Sequence, residues 1–456
     1  MRFTKFNARK LNDFAQLNVE FDAQINFLIG INGCGKTTVL RAMTALVTPD
    51  IDWLFSTSFE SISVEFELGK DLGSVETTKT DDVVEIIFRV NGRVQARDAI
   101  PREAFDRLSK RNFEQRYRED GEDIRLIEEV TMLGSSLSVV RIIRDLPTPI
   151  YLGLDRTTLP GWKDPNDLRH ERLQRSRRSR ITLRTFLDES VAQSAAIVHE
   201  AMYRAQQQRS RRAVALRESI LRSIFAEDQA THKLPTNDDI KKYEKYRRSI
   251  KSAYSLSGME DKQLYEKVDD FFDRLVDAAK GLSHVKSFVD LFGQRQDEAG
   301  QKSYFQWNSL RPKLPIVSHI EQDVNSYNKE QTEIFEGITR YKQILNGFFM
   351  DSHKSLDVTE GGDVEIRTSG NREVNLYQLS SGERQLFVLI SNLLFNRDRL
   401  QANVLIIDEP ELSLHLKWQE MFVDSLIEAN PKTQMIFATH SPSIISNRDE
   451  NCIELA

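Results

Sequence analysis

Apolar residues recur with two different periods along this chain. At residues 3–6 and 17–21 they alternate with polar ones, the period of a half-buried strand. Residues 25–29, Ile-Asn-Phe-Leu-Ile, form a short and mostly apolar run, which predicts a strand buried on both faces. Residues 36–46 then carry helix formers with apolar positions at helical spacing. Residues 62–68, 83–90 and 137–143 read as further strands, with a helix over 102–118, a pattern that suggests an antiparallel β subdomain. From 166 to about 290 the strand signals fade. Residues 271–282 repeat apolar side chains every three or four positions, which predicts a helical insertion. No sustained heptad runs through it, so a long coiled-coil arm is not expected. A helix over 318–349 precedes two short strands, 356–358 and 364–367, around the Gly361-Gly362 turn. From about 370 strands and helices alternate again. The expected fold class is α/β, divided as 1–165, a helical insertion at 166–317, and 318–456.

Four short motifs bear chemistry. Gly30-Ile31-Asn32-Gly33-Cys34-Gly35-Lys36-Thr37 satisfies the phosphate-loop pattern G-x-x-x-x-G-K-[ST] between a predicted buried strand and a predicted helix. Its glycines let backbone N–H groups converge on phosphates, and the helix N-terminus adds positive potential. Lys36 would reach the β- and γ-phosphates, and the Thr37 hydroxyl would hold Mg²⁺. Far downstream, Val404-Leu405-Ile406-Ile407 ends in Asp408-Glu409. Asp408 would bind Mg²⁺ through water, as the acid on this strand does in P-loop NTPases, and Glu409 would polarise the attacking water. Leu379-Ser380-Ser381-Gly382-Glu383-Arg384-Gln385 opens a helix whose small residues permit close approach to a phosphate. The same run reads equally as a serine N-cap with Glu383 closing a capping box. Last, Phe437-Ala438-Thr439-His440-Ser441-Pro442 places a histidine at the end of a strand about thirty residues after the acid pair.

These motifs, in this order, resemble the ABC-type ATPases that include SMC, Rad50, RecF and OLD-like proteins. Asp408-Glu409-Pro410-Glu411-Leu412-Ser413-Leu414-His415, followed by Trp418-Gln419, is most similar to the stand-alone and defence-associated branch. Within it the chain resembles the ATPase subunits of Septu-type antiphage systems, with those of PARIS-type systems second. The resemblance is specific over roughly residues 1–50 and 370–445. It implies an ABC-type P-loop core with an antiparallel β subdomain and an inserted helical domain. It further implies that Asn32, Gly33, Cys34, Gly35, Lys36, Thr37 and Thr38 bind the phosphates of one ATP with Mg²⁺. Ser380, Ser381, Gly382 and Glu383 would complete the site of an opposing protomer in a head-to-tail dimer. His440 would contact the γ-phosphate, and Ser413 to His415 would couple the two sites. Three departures stand out. The signature reads Ser-Ser-Gly-Glu rather than Ser-Gly-Gly-Gln, His415 replaces a common aspartate, and no glutamine marks the lobe-bridging loop, for which residues 151–156 are the best match.

Composition narrows the remaining choices. No run approaches the roughly 18 apolar residues of a membrane span. The first residues read as a strand rather than a signal peptide, and two cysteines, Cys34 and Cys452, suit a reducing cytoplasm. The net charge of -6 conceals twelve arginines from Arg169 to Arg217 against four acids, Glu171, Asp188, Glu189 and Glu200. Such a cluster could grip nucleic acid, bind an acidic partner, or form a solvated surface. OLD-like relatives continue past the histidine into a Toprim nuclease, whereas sixteen residues follow His440 here. Nucleic-acid cleavage is therefore expected from a separate HNH or Toprim partner. The leading expectation is the ATPase and sensor subunit of an antiphage complex. A RecF- or Rad50-like DNA maintenance ATPase is the alternative; a transporter subunit and a barely hydrolysing scaffold stand behind it.

Overall fold

The computed structural model describes residues 1–13, 15–105, 137–152, 183–223, 233–256, 262–285, 287–292, 297–396 and 403–455. Among them the chain forms two compact units, 1–201 with 340–456, and 202–339. The division falls inside two long helices.

The first unit contains two large sheets. Strands β1 (Arg2–Leu11), β2 (Ala15–Glu20), β4 (Ser61–Leu68), β5 (Asp71–Lys79), β6 (Val83–Val90) and β7 (Arg93–Pro101) form an antiparallel sheet in the order β2-β1-β4-β5-β6-β7. Strands β3 (Ile25–Ile29), β8 (Ile150–Leu152), β12 (Val404–Asp408), β13 (Gln434–Ala438) and β14 (Cys452–Glu454) form a parallel sheet in the order β14-β3-β13-β12-β8. Helix α1 (Lys36–Val47) lies in the core between the sheets. Its Val39, Leu40, Met43 and Leu46 share one cluster with Phe6, Val64 and Ile86 of the first sheet and Leu28, Ile406 and Ile436 of the second. Every residue of β12 and β13 is buried, the property that the unbroken apolar runs anticipate for a doubly covered parallel strand. A buried glutamine ties the sheets together. Gln434 donates from Nε2 to the carbonyls of Phe3 and Asp22, both at 2.8 Å, and its Oε1 accepts the Phe3 N–H at 2.8 Å.

Residues 137–143, expected as a strand, are helical: α3 spans Ser138–Arg144. The β-branched residues that suggested a strand are spaced for one helical face instead, and Val139, Val140 and Ile143 are all buried. The helix has no cap of its own. Asp98, on β7, accepts the Val139 N–H at 2.6 Å and the Ser138 hydroxyl at 3.1 Å, so the capping signal sits about forty residues upstream. The 102–118 helix begins at residue 102, but 106–118 lie outside the described residues, as do 153–156 of the expected lobe-bridging loop and Arg169 to Arg180.

The insertion is helical, as the periodicity indicated. Helices α5 (Asn237–Leu256), α6 (Lys262–Gly281) and α8 (Glu298–Leu310) enclose Tyr243, Phe272, Leu275 and Trp307. Of the two longest helices, α9 (Leu314–Phe349) matches the helix expected over 318–349, whereas α4 (Leu183–Ser223) exceeds what the absent heptad pattern led us to expect. Within the second unit they meet through a small cluster, Leu216 with Val324 and Tyr327, and an Arg212–Glu330 ion pair at 3.1 Å. A contact this local needs no seven-residue repeat. Beyond α9, β9 (Lys354–Val358) and β10 (Val364–Thr368) form the expected hairpin, extended by β11 (Glu373–Val374).

Asp98→Ala should cost about 1 kcal/mol, the usual loss when an N-cap carboxylate is removed. The measurement is thermal unfolding, where an unchanged midpoint would mean that α3 does not depend on this cap.

Candidate nucleotide site

Parallel register brings three distant segments level. Leu28 on β3 pairs with Ala438 on β13, and Ala438 pairs with Asp408 on β12. The phosphate loop, the acid pair and the His440 segment therefore leave one edge of the sheet together, at the carboxyl ends of the strands where open α/β sheets bind ligands.

Gly33 and Gly35 have φ of 88° and 97°, in the left-handed region where a side chain is strained, and Gly35 stands at the N-cap of α1. Gly30 is needed for space: a Cβ there would come within 2.7 Å of both Cys34 Sγ and the Leu455 carbonyl. Cys34 thus packs against the first glycine of the loop, and Leu455, just past β14, closes on the same glycine. Lys36 is 6% exposed, and its Nζ donates to the carbonyls of Gly30 at 3.1 Å and Ile31 at 3.4 Å. The Thr38 hydroxyl accepts from Asn12 at 3.4 Å, while Asn32 and Gly33 face solvent.

The decisive contact links the two ends of the sequence. Thr37 Oγ1 donates to Asp408 Oδ1 at 3.2 Å. Asp408 is 3% exposed, and its Oδ2 is buried without a hydrogen-bond partner. Burial raises its pKa above the ordinary aspartate value and Glu409 adds to this, while the Thr37 hydroxyl, Arg41 and Lys36 pull the other way. A threonine hydroxyl beside a carboxylate with an unused oxygen is a donor set that fits Mg²⁺ and its water. Glu409 follows with φ 49°, its N–H bonded to the Ala438 carbonyl at 2.8 Å. This strained conformation turns the chain immediately after the strand.

His440 is exposed at the end of β13, where it lines a cavity of about 280 Å³ with Gly30, Thr439, Pro442, Ser446 and Asp449. His440 and the first glycine of the phosphate loop thus line the same cavity.

Ser380 caps α10 (Ser381–Phe395) in a complete capping box: its side chain accepts the Glu383 N–H at 3.3 Å, and Glu383 accepts the Ser380 N–H at 2.7 Å. The capping-box expectation for this run is met at this helix end. Glu383 itself is 1% exposed and also accepts from Ser352 Oγ at 2.6 Å and Lys354 Nζ at 2.8 Å. Burial pushes its carboxyl up, but Lys354, Ser352 and the Ser380 N–H together hold it below the usual glutamate value. Both oxygens are thus taken by its own chain. Ser380 is exposed, Ser381 is half-buried, and Gly382 presses on the following loop, since a Cβ there would stand 2.4 Å from the Ser413 carbonyl. Among the described residues no hydrogen bond or ion pair joins 30–38 to 380–383.

A family model described as AAA ATPase domain matches residues 7–445, which includes every motif above. The chain belongs to the AAA ATPase domain family. Over 145 residues it is 26% identical to the Retron Vc95 probable ATPase of Vibrio cholerae serotype O1 biovar El Tor, covering 29% of this chain and 28% of that one. Over 141 residues it is 29% identical to the Septu protein PtuA of Bacillus thuringiensis, covering 28% and 34%. The Retron Ec83 probable ATPase of Escherichia coli is 30% identical over 99 residues, covering 20% and 18%. These matches span between 18% and 34% of the relatives' own length. Among solved structures, the Smc head domain of Pyrococcus furiosus bound to the C-terminal domain of ScpA aligns at 11% identity and a TM-score of 0.36, covering 99% of this chain and 93% of that one. The SMC head domain of Thermotoga maritima aligns at 11% and 0.36, covering 98% and 93%.

Asp408 also sets a pH-dependent prediction. Its raised folded-state pKa contributes stability that is complete below the ordinary aspartate value and disappears as pH rises through the raised value. Near neutral pH the ligand-free protein therefore holds a buried, half-satisfied charge. Asp408→Asn should stabilise the ligand-free protein there by roughly 1 kcal/mol, while removing the thermal protection that Mg-ATP gives the wild type. Melts with and without Mg-ATP test both effects, and a less stable ligand-free variant would contradict the assignment.

Proposed function

We propose that this protein hydrolyses ATP at sites shared between two copies, and that it is the sensor and regulatory ATPase of an antiphage complex with a separate nuclease. The observation that supports it most directly is the Thr37–Asp408 contact beside an unused carboxylate oxygen. In this reading the phosphate-loop amides and Lys36 bind the phosphates, and Thr37 and Asp408 hold Mg²⁺. Mg²⁺ bound there neutralises phosphate charge. Glu409 orients and polarises the water, and His440 faces the terminal phosphate from the adjacent strand.

Among the described residues no hydrogen bond or ion pair joins 380–383 to the phosphate loop of the same chain, and Ser380 is exposed at a helix N-terminus. Both features suit an end that serves the ATP of a partner copy, head to tail. A defence role is supported by the similarity to the Septu protein PtuA and the two retron ATPases, and the separate nuclease is what the motif resemblance adds to this reading. The free cysteines Cys34 and Cys452 fit a cytoplasmic setting, and among the described residues no helix is long and apolar enough to cross a membrane.

Glu409→Gln should bind Mg-ATP, fail to hydrolyse it and accumulate as a dimer, as read by light scattering coupled to size exclusion. A monomer that binds Mg-ATP under those conditions would overturn the head-to-tail reading. A neighbouring HNH or Toprim nuclease gene that copurifies with the variant would support the defence role; neighbouring replication genes would favour DNA maintenance.

A further inference from the structure

Glu411 holds the segment that carries His440. Thr439, immediately before the histidine, is 0% exposed, and its hydroxyl donates to Glu411 Oε2 at 2.8 Å. The His440 N–H donates to Glu411 Oε1, also at 2.8 Å. One carboxylate thus accepts two donors, one on each oxygen, from the two residues at the end of β13. Thr439 Oγ1 in turn accepts the Ser441 N–H at 3.0 Å, which continues the chain of bonds past the histidine. A second clamp closes the far side: Ser441 Oγ donates to Gln419 Oε1 at 2.7 Å, and Gln419 Nε2 donates to the Leu414 carbonyl at 2.9 Å.

Glu411 and Leu414 lie in one loop, residues 409–415, which joins Asp408 to α11 (Leu416–Ala429), and Gln419 lies in the first turn of that helix. The loop is internally fixed. Leu412 N–H bonds the Glu409 carbonyl and Leu414 N–H the Glu411 carbonyl, both at 3.1 Å, and Ser413 takes a left-handed φ of 71°. Its other face meets the signature helix, where Gly382 leaves room for the Ser413 carbonyl. The loop therefore touches three functional elements of one chain: the acid pair by covalent continuity, His440 through Glu411, and the signature helix through Ser413.

We propose that Glu411 is a positioning residue that makes His440 move with this loop, so that a displacement of the signature helix reaches the histidine of the same chain. This rests on the reading of His440 as a γ-phosphate contact. The charge matters because a neutral amide cannot replace it. Glutamine has one acceptor oxygen and two donor hydrogens. If that oxygen keeps the His440 N–H, the amide nitrogen faces Thr439, whose hydroxyl must then accept, leaving a fully buried O–H with no acceptor.

The test is Glu411→Gln, with Thr439→Val as a second variant that removes the same link from the other side. In hydrogen exchange without nucleotide, amides of residues 439–445 should lose protection in both variants while those of α11 stay as in the wild type. Unchanged exchange at 439–445 in both would overturn the proposal whether or not the protein hydrolyses ATP. In steady-state hydrolysis, Glu411→Gln should lower kcat roughly tenfold or more with KM for ATP within about threefold. Added to His440→Ala, it should cause no further loss. A full additional loss in the double variant would show that Glu411 acts elsewhere and overturn the proposal. Wild-type activity in His440→Ala would instead overturn the role of the histidine, with the exchange measurement still deciding whether Glu411 pins the segment.

Discussion

The register of three parallel strands is the constraint on which the rest of this structure depends. Leu28, Ala438 and Asp408 stand level across β3, β13 and β12. That alignment lets a threonine near the start of the chain donate to an aspartate 371 positions later. A slip of one residue in a strand reverses which face each side chain occupies. Here it would also move Asp408 away from Thr37. The registry is protected by strands buried on both faces, by Phe27 stacked on Phe437 with ring centroids 5.4 Å apart, and by Gln434 bridging to β1. The apolar runs that announce the strands thus also set the geometry of the site.

Two buried carboxylates near this site show opposite uses of charge. Glu383 is surrounded by Ser352, Lys354 and the Ser380 N–H, and its pKa is lowered. It works as a fastener that fixes α10 to the β9 hairpin. Asp408 keeps one oxygen unpaired and burial raises its pKa, so its ionised form is poorly compensated in the ligand-free protein and a cation there would relieve that cost. Buried charges are tolerated when paired and costly when half-paired, which separates a structural acid from a chemical one.

What could be foreseen from sequence was whatever the backbone itself demands. Gly33 and Gly35 are required by positive φ, Gly30 and Gly382 by close approach, and Ser380 with Glu383 by the capping of a helix. Each leaves a mark within a few residues. Contacts between distant segments leave none. Asp98 caps a helix about forty residues away, so residues 137–143 looked like a strand by their β-branched content. Lys354 carries no local sign of its pairing with Glu383. Glu411 stood in plain view inside Asp408-Glu409-Pro410-Glu411, yet only the fold shows that its carboxylate points to Thr439 and His440. The length of α4 was hidden for a similar reason, because its contact with α9 rests on a few residues rather than a repeat.

In the proposed dimer each ATP site is built from two chains. Lys36→Ala should inactivate the phosphate loop and Ser381→Arg the signature, each abolishing hydrolysis when alone. Mixed in equal amounts and allowed to exchange subunits, the two variants form dimers in which one composite site is intact, so activity should recover to about a quarter of the wild-type value for random pairing. A mixture that stays as inactive as its components would contradict a site shared head to tail.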